Sequence, residues 1–169
     1  FTGALRKEGL AVAAAREAGV KTPELLIFDD ALELLPVPYA LYRRVLGRNF
    51  EASGRPPGET PAVFYALGRD LARLHRGVRP EGELAELRPE ALPDAAACLA
   101  KLEPEGFLSG LESRWLGRVL NGLEAAAGTF EPVFCHGDIQ MSNLMVDASS
   151  EYAALLDWGA CGWGDPAHD

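Results

Sequence analysis

Residues 133–157 read VFCHGDIQMSNLMVDASSEYAALLD, and this stretch decides the fold. It contains three short apolar runs of strand type: Val133–Cys135, Leu144–Val146 and Tyr152–Leu156. The polar stretch 147–151 between the second and third runs has the composition of a turn, so these two runs predict a β-hairpin. The residues that flank the hairpin, Asn143 and Asp157, should therefore lie side by side.

Asp138 is the third polar side chain that we expect at this end of the hairpin. It precedes Asn143 by five positions, on a loop that Gly137 allows to turn sharply. The side-chain oxygens of Asp138, Asn143 and Asp157 can therefore converge. Magnesium binds through one or two carboxylates and completes its shell with water and phosphate oxygens. The sequence thus predicts a magnesium site here.

The same residues carry a family resemblance. His136–Asp138 followed by Asn143 resembles the H-G-D-x-x-x-x-N catalytic loop of the aminoglycoside phosphotransferase and choline kinase-like enzymes, which are similar to protein kinases in fold. Asp157–Gly159 stands where protein kinases have D-F-G. Trp163–Pro166 with Asp169 resembles the family's G-D-P-x-x-D segment. H-G-D alone would be a weak signal, whereas these motifs in this order are specific.

The resemblance implies a role for each polar residue of the loop. Asp138 would orient the acceptor hydroxyl and take its proton late, with His136 in the catalytic set as support for the loop. Asn143 and Asp157 would be the metal ligands, and Asp157 would bridge Mg²⁺ to the phosphates of ATP. The alternative is a loop that Asp138 and Asn143 only stabilise by hydrogen bonds. That alternative leaves unexplained a carboxylate directly after the apolar run 153–156.

The N-terminal part predicts a helix over Ala4–Ala18 and strands over Pro23–Phe28 and Tyr39–Val45. In the resembled family a glutamate on this helix pairs with a strand lysine that holds the ATP phosphates, and Glu8 matches it. The helix dipole would favour a glutamate there in any case. The resemblance also implies that the end of the second strand is the hinge between the two lobes. Three residues of this hinge would bind ATP: Arg43, Arg44 and Val45. An exposed edge strand with two arginines is the alternative.

The resemblance implies chain on both sides of this sequence. The strands that cover ATP and carry the phosphate-binding lysine would precede Phe1, and helices that wall the acceptor site would follow Asp169. Lys7 is a poor substitute for that lysine, because it lies on the predicted helix. We therefore expect an α+β, protein-kinase-like fold truncated at both ends, with a partial N-terminal lobe and hinge over 1–46 and a partial, mainly helical C-terminal lobe over 47–169. Alone, these residues should be inactive.

Helical spacing and composition predict three more helices: Pro61–Arg76, Asp94–Leu102 and Leu111–Ala127. On the last of these, one face reads as core: Trp115, Val119 and Leu123. His75, near the end of the first, is predicted to pack or to cap the helix. Asp165, which precedes a proline, is predicted to be structural.

Composition excludes some classes of protein and favours others. The 169 residues carry a formal net charge of −9, which argues against a general nucleic-acid binder and weakly suits a cationic substrate. No apolar run approaches the ~20 residues of a membrane span, and no signal-peptide pattern opens the chain, so we expect a cytoplasmic protein without a membrane partner. Three cysteines without paired spacing predict free thiols: Cys98, Cys135 and Cys161. Spacing likewise gives little support to a zinc site built from Cys135, Cys161, His136 and His168.

Taken together, the motifs predict an ATP-dependent O-phosphotransferase that moves the γ-phosphate of ATP to the hydroxyl group of a small molecule. Its cofactors would be ATP and Mg²⁺. Two alternatives remain open at this point: a non-catalytic, kinase-like binding module that lacks the phosphate-binding lysine, and a magnesium-dependent hydrolase that releases phosphate without an acceptor.

Overall fold

The computed structural model describes residues 2–89, 94–126 and 130–169. It divides into two compact units, one formed by residues 1–90 with 132–169 and one by residues 91–131. The predicted boundary at residue 46 separates the two lobes of a kinase, which is a different division from these two compact units. That boundary stays a prediction. All the predicted site residues belong to the first unit.

Two long helices of the first unit form where the sequence predicts them. Helix α1 spans Thr2–Glu17 and is rich in alanine, the residue with the highest helix propensity. Helix α2 spans Pro61–Gly77 and begins with a proline, whose missing N–H costs nothing in the first turn. Its apolar residues recur at helical spacing and are buried: Val63, Leu67 and Leu74.

The strands of the first unit form three small antiparallel sheets. In chain order they are β1 Leu25–Asp29, β2 Tyr39–Tyr42, β3 Arg48–Asn49, β4 Val133–Cys135, β5 Leu144–Val146, β6 Tyr152–Leu155 and β7 Gly162–Gly164. Strands β1 and β2 pair with each other, β3, β5 and β6 form a second sheet in that order, and β4 pairs with β7. The short strands β3 and β7 were not predicted, because two or three residues leave no periodic pattern.

The hairpin of β5 and β6 is confirmed, and its register refines the prediction for its ends. Leu144 lies opposite Leu155, and Leu156 N–H donates to the carbonyl of Asn143 at 2.8 Å. The residue opposite Asn143 is therefore Leu156, and Asp157 lies one position further along the chain. The backbone hydrogen bonds of the hairpin therefore end at Leu156, one residue before the carboxylate of Asp157.

The core of the first unit lies between α1, α2 and the hairpin. Its largest fully buried apolar side chains are Phe50, Leu74, Phe134, Leu144, Leu155 and Trp158. Asp70 of α2 is also buried, and its carboxylate accepts hydrogen bonds from Lys21 N–H at 2.8 Å and from Arg73 at 2.6 Å. A buried charge satisfied in this way ties α2 to the segment between α1 and β1.

The second unit contains α3, Ala95–Leu102, and α4, Gly110–Ala126. Asp94 caps α3 by accepting from the backbone N–H groups of Ala96 and Ala97. The prediction of a core face on α4 is wrong for Trp115 and Val119, which are 57% and 38% exposed. The side chain of Leu123 lies outside the described residues. Helical spacing identifies an apolar face but does not reveal which element, if any, covers it.

Among the helices that the structure describes, none combines the length and the apolar character needed to cross a membrane.

Gly47 offers a test of how the hinge segment packs on the hairpin. Its φ is +132°, and a Cβ there would lie 2.1 Å from the carbonyl oxygen of Val146. Gly47→Ala should therefore lower the free energy of unfolding by about 2 kcal/mol, since both the backbone and β5 must shift. Urea denaturation measures the change. Gly58→Ala is the control, because a Cβ at Gly58 meets no atom within 4 Å; equal stability of the two variants would contradict this packing.

Candidate active site

The loop between β4 and β5 joins Asp138 to Asn143 directly. Asn143 Nδ2 donates to the Asp138 carbonyl at 3.1 Å and to Asp138 Oδ2 at 2.9 Å. Gln140 Nε2 donates to the same Oδ2 at 2.9 Å. Because the amide nitrogen of Asn143 is turned to Asp138, its Oδ1 remains a free acceptor. Asp138 Oδ2 and Asn143 Nδ2 are thus fixed inside the loop, and Asp138 Oδ1 and Asn143 Oδ1 remain available for a ligand.

His136 lies beneath this loop and is fully buried. Its Nδ1 accepts from Asp138 N–H at 3.2 Å, and its Nε2 lies 2.9 Å from the Leu156 carbonyl. Since Nδ1 is an acceptor, Nε2 carries the proton and donates to that carbonyl. Burial lowers the pKa of His136, which keeps the ring neutral. The ring therefore links the Asp138 backbone to the residue that precedes Asp157.

Asp169 holds the same loop from its other side. Its carboxylate accepts from His136 N–H at 3.0 Å and from Gly137 N–H at 2.8 Å. His75 Nε2 lies 2.9 Å from Asp169 Oδ2, and only 1% of the Asp169 side chain is exposed. Gly137 has a φ of +82°, and a Cβ there would lie 2.6 Å from the Ala160 carbonyl oxygen, so the loop needs glycine at this position.

Sequence reasoning assigned no function to Asp169 and only packing or capping to His75. The available signal was the position of Asp169 within the G-D-P-x-x-D segment, together with a histidine at the end of an amphipathic helix. Neither signal states that the two side chains meet, because 94 positions separate them.

The cysteines are free thiols, as predicted: Cys98 is exposed, and Cys135 and Cys161 are buried. In the described parts of the chain, one group of side chains has the proximity of metal ligands, and it consists of His75, Cys135 and Asp169. These groups already make hydrogen bonds, since the Cys135 thiol donates to the Asp165 carbonyl and His75 pairs with Asp169. Burial also raises the pKa of Cys135 to about 12, which keeps the thiol protonated.

Asp157 follows β6 in a strained backbone conformation. Its φ is +62°, in the left-handed region that few residues other than glycine adopt, although aspartate and asparagine do so more often than most. Its side chain is exposed, and its nearest donor is Gly159 N–H at 3.4 Å from Oδ1. The carboxylate is therefore almost unpaired among the described residues. Strain of this kind persists where surrounding structure enforces it, and it is common at functional sites.

A cavity of about 310 Å³ brings together several of the predicted site residues. Its lining includes Glu8, Arg43, Arg44, Val45, Met145 and Asp157. Glu8 and the hinge residues thus share one cavity with Asp157. The loop residues His136, Asp138 and Asn143 do not line it, and the His136–Leu156 hydrogen bond connects the loop to its edge.

Two polar groups of the cavity, Tyr42 and Glu8, interact with each other. The Tyr42 hydroxyl is buried, and burial together with the charge and hydrogen bond of Glu8 raises its pKa to about 12. Burial also raises the pKa of Glu8, and the negative charge of Asp157 adds to that shift. The cavity therefore presents a buried hydroxyl together with two carboxylates.

The hinge residues are not equivalent. Arg43 N–H already donates to the Glu24 carbonyl at 2.8 Å, and the Arg43 guanidinium pairs with the Glu24 carboxylate at 2.6 Å. Arg43 is thereby held in the β1–β2 sheet. The backbone amides of Arg44 and Val45 donate to no described residue. These two N–H groups remain available to a ligand.

Comparison with known proteins decides the family. The model of the phosphotransferase enzyme family matches residues 3–169. The chain belongs to this family. Viomycin phosphotransferase from Streptomyces vinaceus is 28% identical over 97% of the chain and 59% of its own length. The chain thus spans about three fifths of this relative.

Solved structures confirm the kinase-like α+β fold. Aminoglycoside 2'-phosphotransferase-IIIa in complex with GDP superposes with a TM-score of 0.72 at 16% identity, covering 98% of this chain and 59% of the other. The APH(2")-IIa phosphotransferase, in a ternary complex with streptomycin and ATP, gives a TM-score of 0.64 at 15% identity, covering 99% and 58%. The loop and the cavity described above therefore lie within the fold that this chain shares with these structures.

His136 should make stability depend on pH in a defined way. Its pKa is lowered in the folded protein, whereas the pKa of a histidine in an unfolded chain is about 6.5. Below that pH, His136 binds a proton in the unfolded chain but not in the folded protein. The free energy of unfolding is therefore highest above about pH 6.5 and falls as the pH decreases. Between about pH 7.5 and about pH 5.5, the protein should lose about 1 kcal/mol relative to its His136→Gln variant, as measured by urea denaturation. Parallel pH curves for the two proteins would contradict a buried, neutral His136.

Proposed function

We propose that the protein containing this chain is an ATP-dependent O-phosphotransferase that moves the γ-phosphate of ATP to a hydroxyl group of a small molecule. The observation that carries the proposal is the joint placement of Asp138, Asn143 and Asp157. One buried histidine ring links the loop of the first two to the residue preceding the third. Family membership supports the same chemistry.

The donor set fits a magnesium ion. Asn143 keeps Oδ1 free because its nitrogen is committed to Asp138, and Asp157 offers a carboxylate with almost no internal partner. One neutral and one charged oxygen ligand, with the remaining positions left to water and phosphate, is the set that magnesium commonly takes. In this proposal Asn143 and Asp157 hold the metal.

The cavity fits a nucleotide. Its volume of about 310 Å³ lies within the range of small-molecule sites. The free amides of Arg44 and Val45 supply hinge donors. When bound, ATP supplies the transferable phosphoryl group and Mg²⁺ neutralises charge that develops on it. Glu8 is proposed to hold a cationic side chain that contacts the phosphates.

Asp138 is proposed to act on the acceptor. Its Oδ2 is occupied by the amide groups of Asn143 and Gln140, so Oδ1 is the atom that accepts the hydrogen bond of the incoming hydroxyl. It orients that oxygen and takes its proton as the reaction proceeds. His136 keeps the Asp138 backbone fixed and exchanges no proton itself, since both ring nitrogens are engaged.

The acceptor is proposed to be a small, cationic hydroxyl compound. A net charge of −9 favours a cation electrostatically, and the similar proteins include a viomycin phosphotransferase and a streptomycin complex. We propose a cytoplasmic location, where ATP is available. No observation favours the non-catalytic binding module. That alternative depended on the missing phosphate-binding lysine, and this argument has no force because the chain covers only 59% of the viomycin phosphotransferase.

Separate variants of the two aspartates test the proposal in the complete protein that contains this chain. Asp157→Ala should weaken binding of Mg²⁺ and ATP as well as turnover, because it removes the charged metal ligand, and excess magnesium should recover part of the loss. Asp138→Asn should keep nucleotide affinity, while turnover falls ~10²–10⁴-fold because the proton acceptor is lost. Calorimetry with Mg²⁺ and ATP, alongside steady-state rates, measures both effects.

Glu151→Gln is the matched control, because it removes an exposed carboxylate at the far turn of the same hairpin. It should change neither quantity. Equal losses of nucleotide affinity in the Asp157 and Asp138 variants would contradict the separate roles.

A further inference from the structure

The N-terminal turns of α1 are held by an unusual set of polar contacts. The Arg6 guanidinium donates to both carboxylate oxygens of Glu83, at 2.8 Å from Nε and 2.7 Å from Nη2. Its Nη1 also donates to Asp30 Oδ2 at 3.0 Å. The two-point contact with Glu83 fixes orientation as well as distance.

Lys7 makes a second contact with the same segment. Its Nζ donates to the Arg88 carbonyl at 2.8 Å. Residues 82–89, which we call the strap, thus receive hydrogen bonds from two consecutive residues of α1. A single contact would allow the helix to rotate about it, whereas two contacts several residues apart on the strap resist that rotation.

The strap is itself fixed to the part of the chain that carries the site. Trp163 Nε1 donates to the Leu84 carbonyl at 2.7 Å, and Trp163 N–H donates to the Leu87 carbonyl at 3.2 Å. Trp163 belongs to β7, which pairs with β4, the strand that leads directly into His136. The contacts therefore connect the start of α1 to the base of the catalytic loop.

Glu8 lies where the polar contacts end and the apolar packing of α1 begins. Arg6 and Lys7 directly precede it, and the first fully buried residues of the helix come after it: Ala11, Val12 and Ala15. The apolar half of the helix packs into the core, against which Leu84 and Leu87 of the strap also pack. The turns up to Glu8 depend on the contacts of Arg6 and Lys7.

Glu8 also needs such a constraint. It lines the cavity with Asp157, so its carboxylate faces a like charge in a partly dehydrated place. Both effects favour movement of the side chain toward water, whereas its hydrogen bond with Tyr42 opposes that movement. A helix free to fray or rotate at its start would allow that movement.

We propose that Arg6 and Lys7 are positioning residues of the phosphotransfer site, which fasten the first turns of α1 to the strap and thereby keep Glu8 inside the nucleotide cavity. The inference rests on the proposed function, because it assigns to Glu8 a part in holding the nucleotide. Neither Arg6 nor Lys7 touches the cavity, so each acts through Glu8.

The test is a double-mutant cycle in the complete protein that contains this chain. Calorimetry with Mg²⁺ and the non-hydrolysable analogue AMP-PNP measures nucleotide affinity for Arg6→Ala, Glu83→Ala, Glu8→Gln and the combination of Arg6→Ala with Glu8→Gln. Glu8→Gln should bind about 10-fold more weakly, roughly the effect of one charged contact, and Arg6→Ala and Glu83→Ala about 3-fold more weakly because their contact is exposed. In the Glu8→Gln background, Arg6→Ala should cause no further loss, because Arg6 acts through Glu8.

Two further measurements distinguish positioning from general destabilisation. Hydrogen exchange should quicken at residues 5–9 in Arg6→Ala and stay slow at residues 11–15, and Arg6→Lys should restore part of the affinity. Arg16→Ala is the matched control, because Arg16 lies on the same helix and donates to the Thr22 carbonyl at 2.7 Å, away from the strap. This variant should bind AMP-PNP as the unmodified protein does.

The outcomes separate the inference from the function on which it rests. An unmodified protein that binds no nucleotide overturns the proposed function. If it binds, the inference is overturned by normal affinity in Arg6→Ala, or by a loss that is equally large with Glu8 and with Gln at position 8. Quicker exchange at residues 5–9 with unchanged affinity also overturns it, since α1 would then have moved without consequence for the cavity.

Discussion

The rest of the site depends on the buried carboxylate of Asp169. Two consecutive backbone N–H groups, those of His136 and Gly137, donate to it, and His75 binds one of the same oxygens. A buried carboxylate without partners would be very unfavourable, so the chain adopts the loop conformation that supplies them. That conformation directs the His136 ring toward Leu156, and the ring in turn holds the Asp138 backbone. One carboxylate thus fixes the loop that carries Asp138.

The electrostatic character of the site follows from its carboxylates. Glu8 and Asp157 share a cavity, Asp138 lies on the neighbouring loop, and the whole chain carries a charge of −9. Like charges at close range are unfavourable unless cations intervene. Burial raises the pKa of Glu8, and the charge of Asp157 adds to the shift. A group of carboxylates placed in this way attracts cations electrostatically.

Much of this architecture is readable in the sequence, because long periodic elements and ordered motifs leave clear patterns. The helices α1 and α2 and the β5–β6 hairpin are examples. Long-range contacts leave no such pattern: the meeting of His75 with Asp169 and of Arg6 with Glu83 depends on how distant segments pack. Exposure on α4 escaped prediction for a related reason, since spacing reveals an apolar face and not its neighbour.

The position of a bound metal is the most direct test of the account. Manganese can replace magnesium in such sites and broadens nearby NMR signals according to distance. In the complete protein with Mn²⁺ and ATP, broadening should be strongest for the backbone amides of Asn143 and Gly159. It should be weaker at Asp147, at the opposite end of the hairpin. Broadening centred on His75 and Cys135, or the same at both ends of the hairpin, would contradict a metal held by Asn143 and Asp157.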